Sequence, residues 1–367
     1  MKGKNMDSVL YTLSEHIHGQ NYVIASYYIK LPKEVDVIKK ASTLAVGQTI
    51  GTWIPIPGIT DEIREKYMGK VVNIFDIPAL DLATQIEEEE RKYIIQIAYP
   101  AVNFGNDLPL LITSLLGNDA STSAQVKLLD IEFPEEFTKK FAGPQFGIDG
   151  VREYTKVKGR PFLLNMVKPC TGLTPEEGAK IFYQTALGGV DFIKDDELLG
   201  NPSYSHPADR VKAFRKAAKA AYEESGNHVK YFVNVTSGTA EIMDNVKAVE
   251  DAGADGIMIN FAAVGYSVLK QVAEETNLPI LGHAAGSGMV YEGTLNGMSS
   301  PLAVGKLARL AGADIVMVNT PYGGYPLSYQ KYMQTIEQLV LPFYHLKASM
   351  PSIGGGVHPG MVEKYIR

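Results

Sequence analysis

The sequence predicts an α/β protein of two domains: a ferredoxin-like α+β domain over residues 1–143, then a (β/α)8 barrel over residues 144–367. In the first part, apolar segments follow one another as strand, helix, strand, strand, helix, strand, which is the ferredoxin order. In the second part, short apolar strands alternate with amphipathic helices in units of about 40 residues or fewer. A glycine-containing junction also recurs there between helix and strand, as ALGGVD, DAGADG and LAGADI.

The composition is that of a soluble globular protein. The chain has 367 residues, 45% of them hydrophobic and 21% charged, and a formal net charge of −6. This charge disfavours a nucleic-acid-binding or acidic-membrane surface. The longest apolar run, residues 108–116, is too short to span a bilayer, and the amino terminus lacks the apolar core of a signal peptide. A single cysteine, Cys170, excludes an internal disulfide and favours a reducing compartment, so we expect a cytoplasmic protein.

In the first domain, β-branched and aromatic segments predict four strands, and segments with helical periodicity predict two helices. The motif GQTIGTW, residues 47–53, is expected to end a helix and lead into a strand. The charge run 87–92 predicts a solvated turn, and the Gly/Pro-rich stretch 142–150 predicts the domain boundary. The strands are expected at 22–31, 70–77, 93–98 and 126–133, and the helices at 32–46 and 107–116.

In the second domain, the same patterns predict seven strand–helix units, one fewer than a (β/α)8 barrel needs. We therefore expect the chain to be truncated before its eighth unit; a strand count that is short by one is the alternative. A doubly wound open sheet is the alternative architecture. The strands are expected at 162–167, 190–194, 231–235, 256–261, 279–282, 315–318 and 348–353, and the helices at 175–187, 207–224, 240–252, 266–275, 301–311, 329–341 and from 359 to the end.

The segment GGVDFIKDDE, residues 188–197, places charged residues directly after a short buried strand. In parallel α/β proteins, that end of the sheet carries the active site. Strand alternation puts Lys194 and Asp196 on one face, and Glu197 can turn back toward them. Carboxylate oxygens suit Mg²⁺, and a lysine carbamylated by CO2 would supply a third oxygen ligand. The alternative is a salt bridge at the barrel rim.

Polar residues also follow the other predicted strands. Lys168 and His283 each have a structural alternative, as a rim lysine and as a hydrogen-bonded core histidine, and glycine runs are more often turns than phosphate sites. The convergence of these residues on one rim favours proton abstraction next to a carbonyl, with a metal and an anion pocket nearby. The residues at the strand ends are Lys168, Cys170, Asn234, Thr236, Asn260, His283 and the glycines of GGGVHPG.

From Tyr22 to Arg367 the chain resembles the RuBisCO large-subunit superfamily, in particular its non-carboxylating RuBisCO-like proteins. GGVDFIKDDE resembles the family's activated-lysine segment, which implies that Lys194 is carbamylated and binds Mg²⁺ with Asp196 and Glu197. VKPCTG resembles the motif whose first lysine, here Lys168, takes part in proton transfer.

Four further motifs resemble substrate-binding segments of this family. GHAAGSG places His283 at the family's strand-five histidine, and LLGND places Asn118 near substrate and metal. IGTW places Thr52 and Trp53 at the phosphate-contacting positions, and GGG after strand seven contributes Gly355 and Gly356 to anion binding. Because Thr52, Trp53 and Asn118 come from a second subunit in that family, the resemblance implies a homodimer or higher oligomer with shared active sites.

Departures from the family pattern exclude ribulose-bisphosphate carboxylase activity. The loop from Thr320, TPYGGYPLS, has no lysine, and the lost cationic groups imply a substrate with one phosphate or with only one anionic end. Similarity extends to the 2,3-diketo-5-methylthiopentyl-1-phosphate enolases, although Asn118 stands where that enolase is expected to have a lysine base. Five positions carry residues other than the expected ones: Gly47 for glutamate, Cys170 for lysine, Ala284 for arginine, Met317 for histidine and Gly354 for serine.

These observations predict a Mg²⁺-dependent enzyme that enolises a phosphorylated keto-sugar-like compound as a tautomerase or isomerase. Lys168 or the carbamate would remove the proton, and His283 and Asn118 would bind substrate oxygens. One alternative is a decarboxylase of a phosphorylated sugar acid. The other is a catalytically silent homologue that binds a sugar phosphate.

Overall fold

The described part of the chain contains two β-sheets, and each belongs to its own compact unit. The computed structural model describes residues 10–52, 54, 56–82, 84 and 88–366. One unit comprises Met1–Phe141 with Ser287–Ala303, and the other comprises Ala142–Gly286 with Val304–Arg367. Segment 287–303 lies inside the second predicted domain in sequence, but it belongs to the first unit.

The first unit is built on an antiparallel sheet in the order β2-β3-β1-β4, which is the predicted ferredoxin-like order. Its strands are β1 (Tyr22–Pro32), β2 (Lys70–Ile77), β3 (Glu90–Pro100) and β4 (Lys127–Glu132). In β1, alternate residues such as Tyr27 and Ile29 are fully buried, as expected of a strand that covers a core. The helical segments of this unit are Ser14–Ile17, Val37–Gly47, Asp61–Tyr67, Ala101–Asn103, Leu108–Leu116, Asp119–Ala124, Glu135–Thr138 and Gly288–Tyr291.

Local predictions in this unit failed where side chains overrode the pattern. The helix expected from residue 32 begins at Val37, because the Asp36 carboxylate accepts hydrogen bonds from the first free N–H groups. Among residues 48–52, which the structure describes, the predicted strand is absent, and residues 48–50 form a turn. Trp53 lies outside the described residues. Strand β3 begins inside the charge run predicted as a turn, because Arg91 is buried against Asp76 at 2.6 Å.

The segment 287–303 covers β4, the edge strand of the first sheet. Met298 forms a parallel bridge with Leu128, and the Ser299 hydroxyl donates to the Leu129 carbonyl at 2.6 Å. The Lys127 ammonium donates to the carbonyl of Tyr291 at 2.6 Å. These contacts satisfy backbone groups that an open sheet edge would leave unpaired.

The second unit contains a parallel sheet whose seven described strands lie in sequence order, β5 to β11. A doubly wound sheet reverses its strand order at a switch point, so this order supports the barrel prediction and excludes the alternative. The strands are β5 (Leu164–Met166), β6 (Phe192–Lys194), β7 (Lys230–Asn234), β8 (Gly256–Asn260), β9 (Ile280–His283), β10 (Ile315–Asn319) and β11 (Met350–Gly354). The helical segments are Gly147–Thr155, Pro175–Leu187, Pro207–Ser225, Ile242–Asp251, Phe261–Val264, Tyr266–Glu275, Leu307–Leu310, Tyr329–Val340, Pro359–Met361 and Val362–Ile366. Pro301–Lys306 is also helical and begins within the segment 287–303 of the first unit.

Side chains two residues apart on these strands form two inner layers. The lower layer, Phe192, Phe232, Met258, Leu281 and Ile315, is one buried apolar cluster. Because strand side chains alternate between faces, the residues two positions later point the same way. This upper layer consists of Lys194, Asn234, Asn260, His283 and Met317, at or near the carboxyl ends of the strands.

A helix that the sequence analysis missed packs against the lower layer. Residues 142–150 were predicted as a boundary stretch, yet Gly147–Thr155 is helical and Val151 joins the apolar cluster. Gly147 has φ +62°, and its N–H donates to the buried Asp314 carboxylate at 2.8 Å. A distant carboxylate therefore starts this helix. None of the helices in the described ranges is long and apolar enough to cross a membrane.

Candidate active site

The charged cluster after β6 is buried at three of its four positions. Lys194, Asp195 and Asp196 are 2% or less exposed, whereas the Glu197 side chain retains 30% of its exposure. Burying charged groups is unfavourable unless each finds a partner. The partners of each group therefore show what the cluster is built to do.

Asp195 is fully paired and faces away from the other acids. Its carboxylate accepts hydrogen bonds from Arg210 at 3.0 Å, the Tyr231 hydroxyl at 2.6 Å and the Asn234 N–H at 2.9 Å. Arg210 also donates to the carbonyls of Leu199 and Asn234. Asp195 thus fixes the backbone that presents its neighbours.

Arg210 was missed in the sequence analysis, although the sequence carried a signal for it. The residue lies on helix Pro207–Ser225 beside Val211 and Phe214, which are buried. A charged side chain at an apolar-face position of an amphipathic helix indicates a buried ion pair.

Lys194 has few hydrogen-bond acceptors. Its Nζ lies 3.0 Å from the Asp195 carbonyl oxygen and 3.3 Å from the Met166 sulfur. Burial lowers the pKa of Lys194, and the nearby carboxylates of Glu197, Asp196 and Asp195 only partly oppose the shift. A lysine with a lowered pKa is more often a neutral amine, which is the nucleophilic form that reacts with CO2.

Asp196 is held by Lys168 in this structure. The two groups are 2.7 Å apart, and Lys168 also lies 2.8 Å from the Cys170 sulfur. The hydrogen bond to Asp196 is the largest cause that raises the pKa of Lys168 well above its usual value, and the hydrogen bond to Cys170 adds to it. For Asp196, burial opposes ionisation, but hydrogen bonds from Lys168 and Leu198 outweigh burial and lower its pKa. Lys168 is therefore a cation here, and it can act as a base only after this ion pair opens.

His283 is a largely buried neutral imidazole. Burial, aided by the charge of Lys194, lowers the pKa of His283 to about 4, although Glu197 and Asp196 act in the opposite direction. Its Nδ1 accepts the Ala285 N–H at 3.2 Å, so the proton lies on Nε2, which is 3.5 Å from the Glu197 carboxylate. The ring thus directs an N–H donor toward the acidic cluster.

The donor set fits a divalent cation only if Lys194 is modified. No group of three or more His, Cys, Asp or Glu side chains in the described residues could hold a metal ion. The cluster offers two candidate carboxylates, Asp196 and Glu197, beside a buried amine. A carbamate on that amine would add the third anionic oxygen that a hard cation prefers.

The remaining predicted site residues belong to other elements of the chain. Gly355 and Gly356 follow β11 with φ of +87° and +83°, a conformation that favours glycine. Thr52 and Asn118 belong to the first unit; the Thr52 hydroxyl accepts the Ile54 N–H at 3.0 Å, and Asn118 is exposed. Trp53 is outside the described residues.

Two departures from the family pattern are explained by packing. A Cβ atom on Gly354 would lie 2.8 Å from the terminal methyl of Met317, so the methionine occupies the space that a serine would need. A Cβ on Gly47 would overlap the Asp119 carboxylate. A glutamate cannot stand at Gly47 while Asp119 keeps this position.

Comparison with known proteins identifies relatives of the whole chain. Residues 147–367 match the family "Ribulose bisphosphate carboxylase large chain, catalytic domain", and residues 11–137 match the N-terminal domain of that chain. A ribulose bisphosphate carboxylase-like protein of Archaeoglobus fulgidus is 42% identical over 96% of this chain and 81% of its own length.

Two further proteins widen this comparison. A 2,3-diketo-5-methylthiopentyl-1-phosphate enolase of Geobacillus kaustophilus is 36% identical, over 94% of this chain and 84% of its own. The solved structure of a dimeric archaeal Rubisco from Hyperthermus butylicus superimposes with a TM-score of 0.84 at 28% identity, covering 97% of this chain and 84% of that one.

Proposed function

The chain belongs to the ribulose bisphosphate carboxylase large-chain family, and from this premise we propose that it is a RuBisCO-like enolase. Its proposed reaction is the Mg²⁺-dependent enolisation of a phosphorylated diketone or keto sugar. The identity to a diketo-methylthiopentyl-phosphate enolase makes that diketone the first substrate to test. The proposed enzyme does not carboxylate its substrate.

One observation carries this proposal: a buried amine with a lowered pKa stands among carboxylates and beside a neutral histidine. A surface salt bridge would leave Lys194 solvated, and a relic site would gain nothing from burying it. Here Lys194 is 2% exposed, and burial disfavours its charged form. This is the environment in which a lysine reacts with CO2.

We assign the metal to the carbamate of Lys194 together with Asp196 and Glu197. Mg²⁺ bound there would polarise a substrate carbonyl and stabilise the negative charge that develops on its oxygen. Mg²⁺ bound to Asp196 would compete with Lys168 for this carboxylate and favour its release. The release removes the hydrogen bond that raises the pKa of Lys168, and so brings this lysine closer to acting as a base.

His283 is suited to binding the substrate as a neutral donor. Its Nε2–H points toward the acidic cluster, where a substrate carbonyl or enolate oxygen could accept it. A neutral imidazole keeps its proton at neutral pH, so we assign it a binding and orienting role. Lys168, or the carbamate of Lys194, remains the proposed base.

Phosphate binding is assigned to backbone N–H groups of Gly355 and Gly356 and to residues of the first unit of a second subunit. Thr52, Trp53 and Asn118 are the proposed contributors from that subunit, which makes the active form a homodimer with shared sites. Mixing inactive Lys194→Ala and Thr52→Ala proteins tests this: shared sites would restore activity in the mixed dimers, whereas self-contained sites would not.

The proposal predicts solvent-deuterium exchange into 2,3-diketo-5-methylthiopentyl-1-phosphate, measured by NMR beside a panel of phosphorylated keto sugars. Exchange is expected to require Mg²⁺ and bicarbonate and to disappear in Lys194→Ala. Lys219→Ala, on the exposed face of helix Pro207–Ser225, is the matched control and should exchange like the wild type. A folded wild-type protein that exchanges no compound of the panel would contradict enolisation and favour the silent sugar-phosphate binder.

A further inference from the structure

One buried oxygen of the upper layer has no hydrogen-bond partner in the described part of the chain. It is Oδ1 of Asn260, the last residue of β8, whose side chain is more than nine-tenths buried. No group of the described residues donates a hydrogen bond to this oxygen. Buried polar atoms without partners are rare in native proteins, because they lose their hydration without compensation.

The position of Asn260 places this oxygen in the candidate active site. Asn260 follows Met258 of the lower layer by two residues, so its side chain points inward with Lys194 and His283. Its backbone pairs in register with His283 on β9, and its N–H donates to the Thr236 hydroxyl at 2.9 Å. The unpartnered oxygen therefore lies on the strand next to the histidine.

A neighbouring asparagine shows that the fold can satisfy such a side chain. Asn234 occupies the upper layer on β7 and is fully buried. Its amide donates to the carbonyls of Asp196 at 3.1 Å and Glu197 at 3.2 Å, and its oxygen accepts the Thr236 N–H at 3.0 Å. Asn234 holds the backbone of the acidic cluster, whereas Asn260 offers an acceptor to something outside the chain.

An acceptor requires a donor, and the proposed reaction creates one. Enolisation breaks a C–H bond on the carbon next to a carbonyl. The electron pair of that C–H bond then forms a carbon–carbon double bond. The proposed base, Lys168 or the carbamate of Lys194, takes the proton from carbon, and one proton is returned from the protonated base to the carbonyl oxygen, so the composition of the compound is unchanged. A diketone has no O–H at its two carbonyl oxygens, but the enol does.

We propose that Asn260 is a further catalytic residue, whose Oδ1 accepts a hydrogen bond from the O–H of the enol. The inference rests on the proposed function. The bond would form only as the oxygen becomes protonated, so it would favour the transition state over the bound diketone. Removing it should lower kcat and leave KM nearly unchanged.

The test is Asn260→Leu, which replaces the amide by an apolar group of similar shape. We expect kcat on 2,3-diketo-5-methylthiopentyl-1-phosphate to fall about ten-fold, the effect of one hydrogen bond, with KM within about two-fold. The melting temperature of the ligand-free protein should stay the same or rise, because the variant removes an unsatisfied buried oxygen. Asn234→Leu is the matched control, and it should lower the melting temperature because three hydrogen bonds are lost.

Each outcome decides a different question. A wild-type protein that does not act on the diketone overturns the proposed function and this inference with it. An active wild type with unchanged kcat in Asn260→Leu overturns the inference alone, and so does a lowered melting temperature together with a lowered kcat. Should Asn260→Leu fail to fold, Asn260→Ala and Asn260→Asp decide: the aspartate keeps an acceptor oxygen and should retain more kcat, and equal losses contradict the role.

Discussion

The two inner layers of the parallel sheet differ in what they contribute, although they are built from the same strands two residues apart. In the lower layer, aromatic and aliphatic side chains pack without polar atoms; Phe192 and Phe232, for example, meet edge to face at 5.3 Å. In the upper layer, Lys194 is buried as a poorly solvated amine, and no described residue donates a hydrogen bond to the Asn260 oxygen. The lower layer therefore stabilises the fold, whereas the upper layer contains buried polar groups that destabilise the fold but are available for chemistry.

Phe232→Ala should produce the largest effect, a loss of about 3–5 kcal/mol in the free energy of unfolding. The ring is fully buried in the lower layer and also packs against Gly256, so truncation leaves a cavity. Urea denaturation followed by circular dichroism measures the loss. A loss below about 1 kcal/mol would show that the lower layer is not the stabilising part of this sheet.

Lys194→Met is the matched change in the upper layer. Because burial already disfavours the ammonium form, this variant should unfold at the same or a higher urea concentration in CO2-free buffer. Any gain should shrink as the pH rises through the ordinary lysine pKa near 10.4, because above that pH the wild-type amine is neutral in both states. A large destabilisation would place Lys194 among the structural ion pairs.

His283 should make the wild-type protein lose stability between about pH 6.5 and pH 4. The pKa of His283 is lowered to about 4, so in this window the unfolded chain binds a proton that the folded chain does not. The full difference is about 3 kcal/mol. Comparing the unfolding free energies of the wild type and His283→Gln across this range isolates the effect, and parallel curves for the two proteins would contradict it.

Gly354→Ser should have the smallest effect, a loss of about 1 kcal/mol. The new Cβ would press on the terminal methyl of Met317, which is the flexible end of a side chain and can move. In a Met317→Ala background the same serine should cost less, and a double-mutant cycle measures this coupling. Strictly additive losses would mean that the two departures from the family pattern are physically independent.

Much of the fold could be predicted because its patterns are local. Helices Pro175–Leu187 and Tyr266–Glu275 were predicted to the residue. The first has Thr174 and Glu177 in a capping box with Pro175 at its first turn, and such signals act within four residues. The order of strand and helix patterns along the chain also predicted the ferredoxin-like sheet and the parallel sheet.

Long-range contacts explain what the prediction missed. Helix Gly147–Thr155 begins where the Asp314 carboxylate, far along the chain, accepts backbone N–H groups. The segment 287–303 joins the first unit through Lys127, Leu128 and Ser299. Neither contact can be predicted from the sequence around the residues involved.

By itself, the sequence determined the order of the helices and strands and which side chains stand at the strand ends. This is because the strand period of two residues, the helix period of 3.6 residues and the helix caps depend only on neighbouring residues. Only the tertiary structure decided the state of those side chains. Burial makes His283 neutral and disfavours the charged form of Lys194. Arg210 donates a hydrogen bond to the Asp195 carboxylate, and no described residue donates one to the Asn260 side-chain oxygen. These states depend on which distant groups desolvate or pair with each residue, and that information exists only once the chain has folded.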